Sequence, residues 1–73
     1  MSTGSVVGRR VREVRLEQGM SQEKLAAESG VALRTIARIE SGEDCLVGTA
    51  SRLAEALDLD VAELLEITDS VES

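Results

Sequence analysis

The sequence contains no aromatic residue, no histidine and no proline, and only one cysteine in 73 residues. Without histidine it lacks the side chain that most often moves protons near neutral pH, which is also the commonest metal ligand. The single Cys45 closes no disulfide within the chain, so nothing calls for an oxidising compartment. No apolar run approaches the roughly 20 residues that span a bilayer, and the first residues carry no apolar signal segment. No nucleophile is clustered with a base. The expectation is a cytoplasmic protein that is not an enzyme, with no cofactor, no metal, no membrane partner and no evident small-molecule ligand.

What is present is ordinary globular composition, 42% hydrophobic and 30% charged. The length suits one small domain, and a chain this short buries only about 60% of its unfolded surface, so assembly would help it. The net charge of −6 and pI of about 4.5 argue at first against a nucleic-acid partner. The average conceals a division. Residues 1–42 hold seven basic and five acidic side chains, net +2, whereas residues 43–73 hold Arg52 against nine acids, net −8. Two surfaces with different roles are implied.

Residues 1–5 read as a flexible leader. Val7, Val11 and Val14 follow at spacings of four and three, one face of a helix, with Gly19 as its stop. Ser21 reads as the cap of a second helix from Gln22 to about Ser29 that buries Leu25 and Ala26 and ends at Gly30. A third helix, from about Leu33 to Ser41, turns Ile36 and Ile39 inward. Glu43 to Gly48 read as a loop, with Thr49 capping a fourth helix that buries Leu53 and Leu57. After a turn at Asp58 to Asp60, Asp60 caps a fifth helix through Val61, Leu64 and Leu65. The chain therefore reads as all-α, a main domain over residues 6–66 followed by an acidic tail, 67–73.

Counted from Gln22, a small Ala26 lies four residues on, Gly30 eight on, and Ile36 and Ile39 fourteen and seventeen on. A small residue permits a close helix crossing, and glycine turns the chain sharply at low cost. Leu25, Val31, Ile36 and Ile39 fill the wedge between. This is a helix-turn-helix pattern, whose second helix fits the major groove of B-DNA.

The stretch GRRVREVRLEQGMSQEKLAAESGVALRTIARIESG, followed by RLAEALDLDVAELL, resembles the Cro/CI-type (XRE-like) helix-turn-helix domain of phage and bacterial repressors from about Gly8 to Leu65. The resemblance implies a compact five-helix, lambda-repressor-like bundle binding double-stranded DNA as a homodimer. It implies base-reading positions at Ala32, Leu33, Arg34 and Arg38, a backbone role for Gln22 and Thr35, and a packing pair between Arg15 and Glu40. Two departures stand out. Ala32 replaces the usual Ser or Thr cap, and the loop after Gly42 reads Glu43-Asp44-Cys45-Leu46-Val47 where basic residues are common.

The side-chain chemistry agrees with those positions. Arg34 and Arg38 share a helix face, and a guanidinium matches the O6 and N7 acceptors of guanine. Leu33 suits thymine methyls. Ser21 lies at a helix start where backbone N–H groups meet phosphate, and Arg9, Arg10 and Arg12 are candidate phosphate contacts. Val61, Leu64, Ile67 and Val71, spaced three, three and four, read as a stripe for a dimer contact if the last helix continues into the tail. The rival expectation is a protein-interaction module, an antitoxin or anti-regulator, engaging a second regulatory protein through its acidic half and the apolar Leu16, Leu46 and Val47.

Overall fold

The structure, a computed structural model, describes residues 3–65, with side chains from Val7 to Leu64. The chain forms α1 (Thr3–Glu17), α2 (Gln22–Ser29), α3 (Leu33–Glu40), α4 (Val47–Ala56) and α5 (Val61–Leu65), with no strand among the described residues. Helices this short are marginal alone and depend on burying one face. Val7 and Val11, Leu25, Ile36 and Ile39, Leu53 and Leu57, and Leu64 supply that face from all five segments and form one buried cluster. Helix α1 packs on α3, α4 and α5; α2 packs on α3 and α4; α4 packs on α5.

Four turns are closed by the same device, a residue at positive φ after the helix: Gly19, Gly30, Gly42 and Asp58. After α1, the Met20 N–H reaches the Arg15 carbonyl at 2.9 Å and the Gly19 N–H reaches that of Leu16 at 3.0 Å, satisfying carbonyls the helix leaves open. The helix-turn-helix corner is made at Gly30, φ 76°, whose N–H returns to the Ala26 carbonyl. Asp58 does the same work after α4 at φ 62° despite its Cβ. Gln18 then ties the two ends together, donating from Nε2 to the Leu57 carbonyl at 2.8 Å.

Helix starts are uneven. Ser21 caps α2 by accepting from the Lys24 N–H at 3.0 Å. At α5 the Asp60 Oδ1 accepts from the Ala62 N–H, and Glu63 reaches back to the Asp60 N–H, a reciprocal capping box. Ala32 caps α3 with no side-chain bond.

Two expected boundaries shift. Helix α1 begins at Thr3, inside the segment expected as a leader, because the apolar period becomes legible only from Val7. Helix α4 begins at Val47, not after Thr49; Leu46 occupies the cap in an extended conformation, and its carbonyl accepts from the Ala50 N–H at 3.0 Å. Thr49 lies within the first turn. No capping side chain marks the true start, so the nearest threonine misleads. The expected tail, 67–73, lies outside the described residues.

Candidate functional site

A helix of eight residues whose Ile36 and Ile39 are fully buried must present its other side outward. At about 100° per residue, the exposed residues Leu33, Arg34, Ala37, Arg38 and Ser41 form one continuous arc opposite those isoleucines. Thr35, half-buried, borders the arc on one flank, and Glu40, half-buried, borders it on the other. Leu33 is 41% exposed, so its methyl groups are free to meet a partner. Ala32 is exposed just ahead of the arc.

The arc is held from beneath by a charged network. Arg15 Nε donates to Glu40 Oε2 at 2.8 Å and Nη2 to Oε1 at 3.0 Å, while Nη1 donates to the Met20 carbonyl at 2.8 Å. Gln22 Nε2 adds a bond to Glu40 Oε1 at 3.1 Å. The Arg15 and Glu40 side chains are only 10% and 5% exposed. The hydrogen bond to Glu40 holds the Arg15 guanidinium more firmly protonated than usual, outweighing the opposing effect of burial. A buried ion pair adds little net stability, but removing one partner leaves a stranded charge. The network therefore locks α1, the start of α2 and the end of α3 in one geometry.

Gly8 supplies the second constraint. A Cβ there would overlap the Ile39 carbonyl oxygen and lie 2.9 Å from the carbonyl carbon and 3.2 Å from Glu40 Cα. Helices α1 and α3 thus touch backbone to backbone directly under the exposed arc.

The remaining sequence candidates are distributed around this frame. Arg9 is exposed on α1, whereas Arg10 faces Glu13 at 4.0 Å one turn away. Ser21 accepts its capping bond and retains its own hydroxyl proton as a donor. Leu64 is fully buried in the core and offers nothing to a second copy, which corrects its expected place in a dimer stripe. Val61 is half-buried and packs on the same core, so α5 faces inward there; Ile67 and Val71 lie outside the described residues. The short α5 needs its apolar positions to close the core of a small domain, and periodicity alone does not distinguish an inward stripe from an outward one.

Sequence reasoning missed Ala37, Ser41 and Gly8. Ala37 lies four residues after Leu33 and three after Arg34, a spacing that already placed it on their face. Gly8, in the middle of an apolar helical period, costs helix propensity and so signals a packing reason. Cys45 is half-buried, and burial, with the charge of Asp44 adding, pushes its thiol pKa up. Among the described residues no group of three or more His, Cys, Asp or Glu is placed to hold a metal, and no helix is long and apolar enough to cross a membrane.

A helix-turn-helix family model matches residues 11–64, from within α1 into α5, covering α2 and α3. A protein of Methanococcoides burtonii, provisionally named an HTH-type transcriptional regulatory protein, is 36% identical over 69 residues, 93% of this chain and 21% of that protein. A protein of Natronomonas pharaonis with the same provisional description is 32% identical over 68 residues, 93% of this chain and 22% of its own length. The chain thus spans about a fifth of the length of these curated relatives. No solved structure shows significant similarity to it.

Proposed function

Because the chain belongs to the Cro/CI-type helix-turn-helix family of DNA-binding domains, we propose that it is a sequence-specific transcription regulator that lays α3 in the major groove. One observation carries this reading: the outward arc of α3 is braced from beneath at its C-terminal end, where Gly8 meets Ile39 and the Arg15 and Gln22 bonds converge on Glu40, yet Leu33, Arg34, Ala37, Arg38 and Ser41 all stay exposed. A rigid helix face that the fold supports and leaves uncovered suits the reading of a groove.

Arg34 and Arg38 contact guanine edges, and Leu33, Ala37 and Ala32 lie against thymine methyls or neighbouring bases. Ser21, Gln22, Thr35 and the α1 arginines Arg9 and Arg10 meet the sugar–phosphate backbone. Gln22 does so while its Nε2 braces Glu40, which leaves the carboxamide's second N–H and its backbone N–H for phosphate. Two copies on a palindromic operator place their α3 helices about one helical turn apart, roughly 34 Å. The setting is cytoplasmic, with repression of transcription as the outcome of occupying an operator.

Selection of bound duplexes from a random pool, with stoichiometry measured on the selected site, tests the reading. The expected preference over random sequence is on the order of 10³ or more. Arg38→Ala should weaken binding to the selected duplex by about 1–3 kcal/mol, more than to random DNA, and relax one position of the site. Equal losses on selected and random DNA would count against base reading by Arg38.

The exposure of Leu46 (79%) and Val47 (66%), together with exposed Leu16, favours a second reading in which the domain docks a regulatory protein. The same titration separates the two, since an interaction module binds DNA weakly and without sequence preference.

A further inference from the structure

Three of the eight basic side chains of this acidic chain face a carboxylate, and Arg9, Arg34 and Arg38 have a place in the reading above. Arg15 is buried against Glu40, Lys24 faces Glu28 at 3.5 Å, and Arg10 faces Glu13. Arg12 of α1 and Arg52 of α4 remain; among the described residues neither has a hydrogen bond or ion pair, and both are exposed. Their placement is not arbitrary. Arg12 lines a shallow hollow with Arg15, with Gln22 of α2, with Ala37 and Glu40 of α3 and with Ser41 just after it. Arg52 lines a second hollow with Gly30, Ala32, Thr35, Leu46 and Thr49, and its Nη1 lies 3.8 Å from where a Cβ on Gly30 would stand.

On the wheel of α3 these hollows lie on opposite sides of the exposed arc, one along Ala37 and Glu40, the other along Thr35. A major groove is about 12 Å wide, with a phosphate strand on each side. A helix seated in it is positioned by contacts to the phosphates of both walls, from basic side chains or from N–H and hydroxyl donors. On the Arg12 side the start of α2 already faces one wall. On the other side the α3–α4 loop supplies Glu43 and Asp44 rather than a cation, and Arg52 is the one charged residue lining that hollow.

Resting on the DNA-binding reading above, we infer that Arg12 and Arg52 form a pair of phosphate contacts that grip opposite strands of the groove on either side of α3. Arg52 takes the position that the acidic loop leaves without positive charge. It is the single basic residue of an otherwise acidic half, and it lines a hollow with Ala32 and Thr35. The pair sets the depth and tilt of α3 and carries no sequence information itself.

Anisotropy titrations of the full 73-residue chain, on the selected duplex and on a scrambled one, test this over a range of NaCl concentrations. Arg12→Ala and Arg52→Ala should each lower the slope of log K against log[salt] by about 1 and weaken both duplexes by the same factor, roughly three- to tenfold. Arg52→Lys should keep the slope and Arg52→Gln should lose it; unchanged thermal melts would show that the exposed substitutions leave the fold intact. Single neutral methylphosphonates, scanned along each strand, identify the walls. Arg12→Ala should become insensitive to a methylphosphonate on one strand, and Arg52→Ala to one on the other. An unchanged slope for Arg52→Ala, or both variants mapping to one strand, overturns the pair while leaving the DNA-binding reading in place. A wild-type chain that binds no duplex overturns both.

Discussion

Two helical glycines, Gly8 in α1 and Gly48 in α4, should respond to alanine with opposite signs. In a helix interior, alanine is worth about 0.5–1 kcal/mol over glycine through backbone entropy alone. At Gly48 nothing lies within 4 Å of the added Cβ, so that gain is realised, reduced to about 0.5 kcal/mol because the position is in the first turn. At Gly8 the added carbon overlaps the Ile39 carbonyl oxygen and presses on two further backbone atoms of α3. No rotamer change relieves a backbone contact, so the helices must separate, loosening the cluster that holds Val7, Val11, Ile36 and Ile39. Overpacking of this kind costs about 1–3 kcal/mol or more, and the propensity gain offsets only part of it. A net loss of about 1–2 kcal/mol is expected, and for a domain of this size each kcal/mol is worth roughly 4–8 °C in Tm. With no tryptophan or tyrosine in the chain, the assay is thermal and urea unfolding followed by circular dichroism at helical wavelengths. Gly8→Ala should melt lower than wild type, and Gly48→Ala slightly higher. A Gly8→Ala variant as stable as wild type would refute the close backbone contact beneath α3.

Asp58, held at φ 62°, should gain about 0.5–1 kcal/mol on replacement by glycine, read as a raised urea midpoint with unchanged m-value. Ala32→Ser should add a capping bond to α3 worth roughly 1 kcal/mol, detectable as a higher Tm. Glu40→Ala should cost about 3–5 kcal/mol by stranding the Arg15 charge, while Arg15→Met combined with Glu40→Leu recovers most of the stability; a double variant as unstable as the single would contradict that account. Glu55→Gln with Glu63→Gln, the latter keeping its capping acceptor, should strengthen binding to random DNA more than to the selected site, as measured by competition.

The helix count, the corner at Gly30 and the inward residues of α2 and α3 were legible because each rests on local chemistry: a spacing of three and four, a capping serine, a glycine at positive φ. The Arg15–Glu40 pair, twenty-five positions apart, was reached only through family resemblance. Where the sequence misled, the missing information was tertiary. Nothing at Leu46 marks a helix start, so the cap of α4 reads three residues late, at Thr49. The apolar spacing of Val61 and Leu64 is real, yet whether it meets the protein's own core or another copy depends on where α1 and α4 already lie. Gly8 and Arg52 show the same limit from the other side. One is explained by a helix thirty residues away, the other by a hollow shared with the turn.

The net charge of −6 is a property of the chain, but binding to a groove is governed by charge within about a Debye length, roughly 8–10 Å, of the phosphates. Glu55, Asp58, Asp60 and Glu63 are exposed on the α4–α5 end. The arginines of the α3 face and its two flanks project instead from the helix-turn-helix side and its supports. On the proposed reading, contacts within that range would rest on Arg12, Arg34, Arg38 and Arg52, opposed nearby by Glu43 and Asp44 of the α3–α4 loop. The remote acids act through the longer-range field that sustains binding to any sequence. An acidic domain with a locally basic reading face therefore loses non-specific affinity faster than specific affinity, which raises the ratio between them. That ratio, rather than absolute affinity, decides occupancy of one site among many competitors, so the acidity that first argued against DNA is compatible with a selective reader of it.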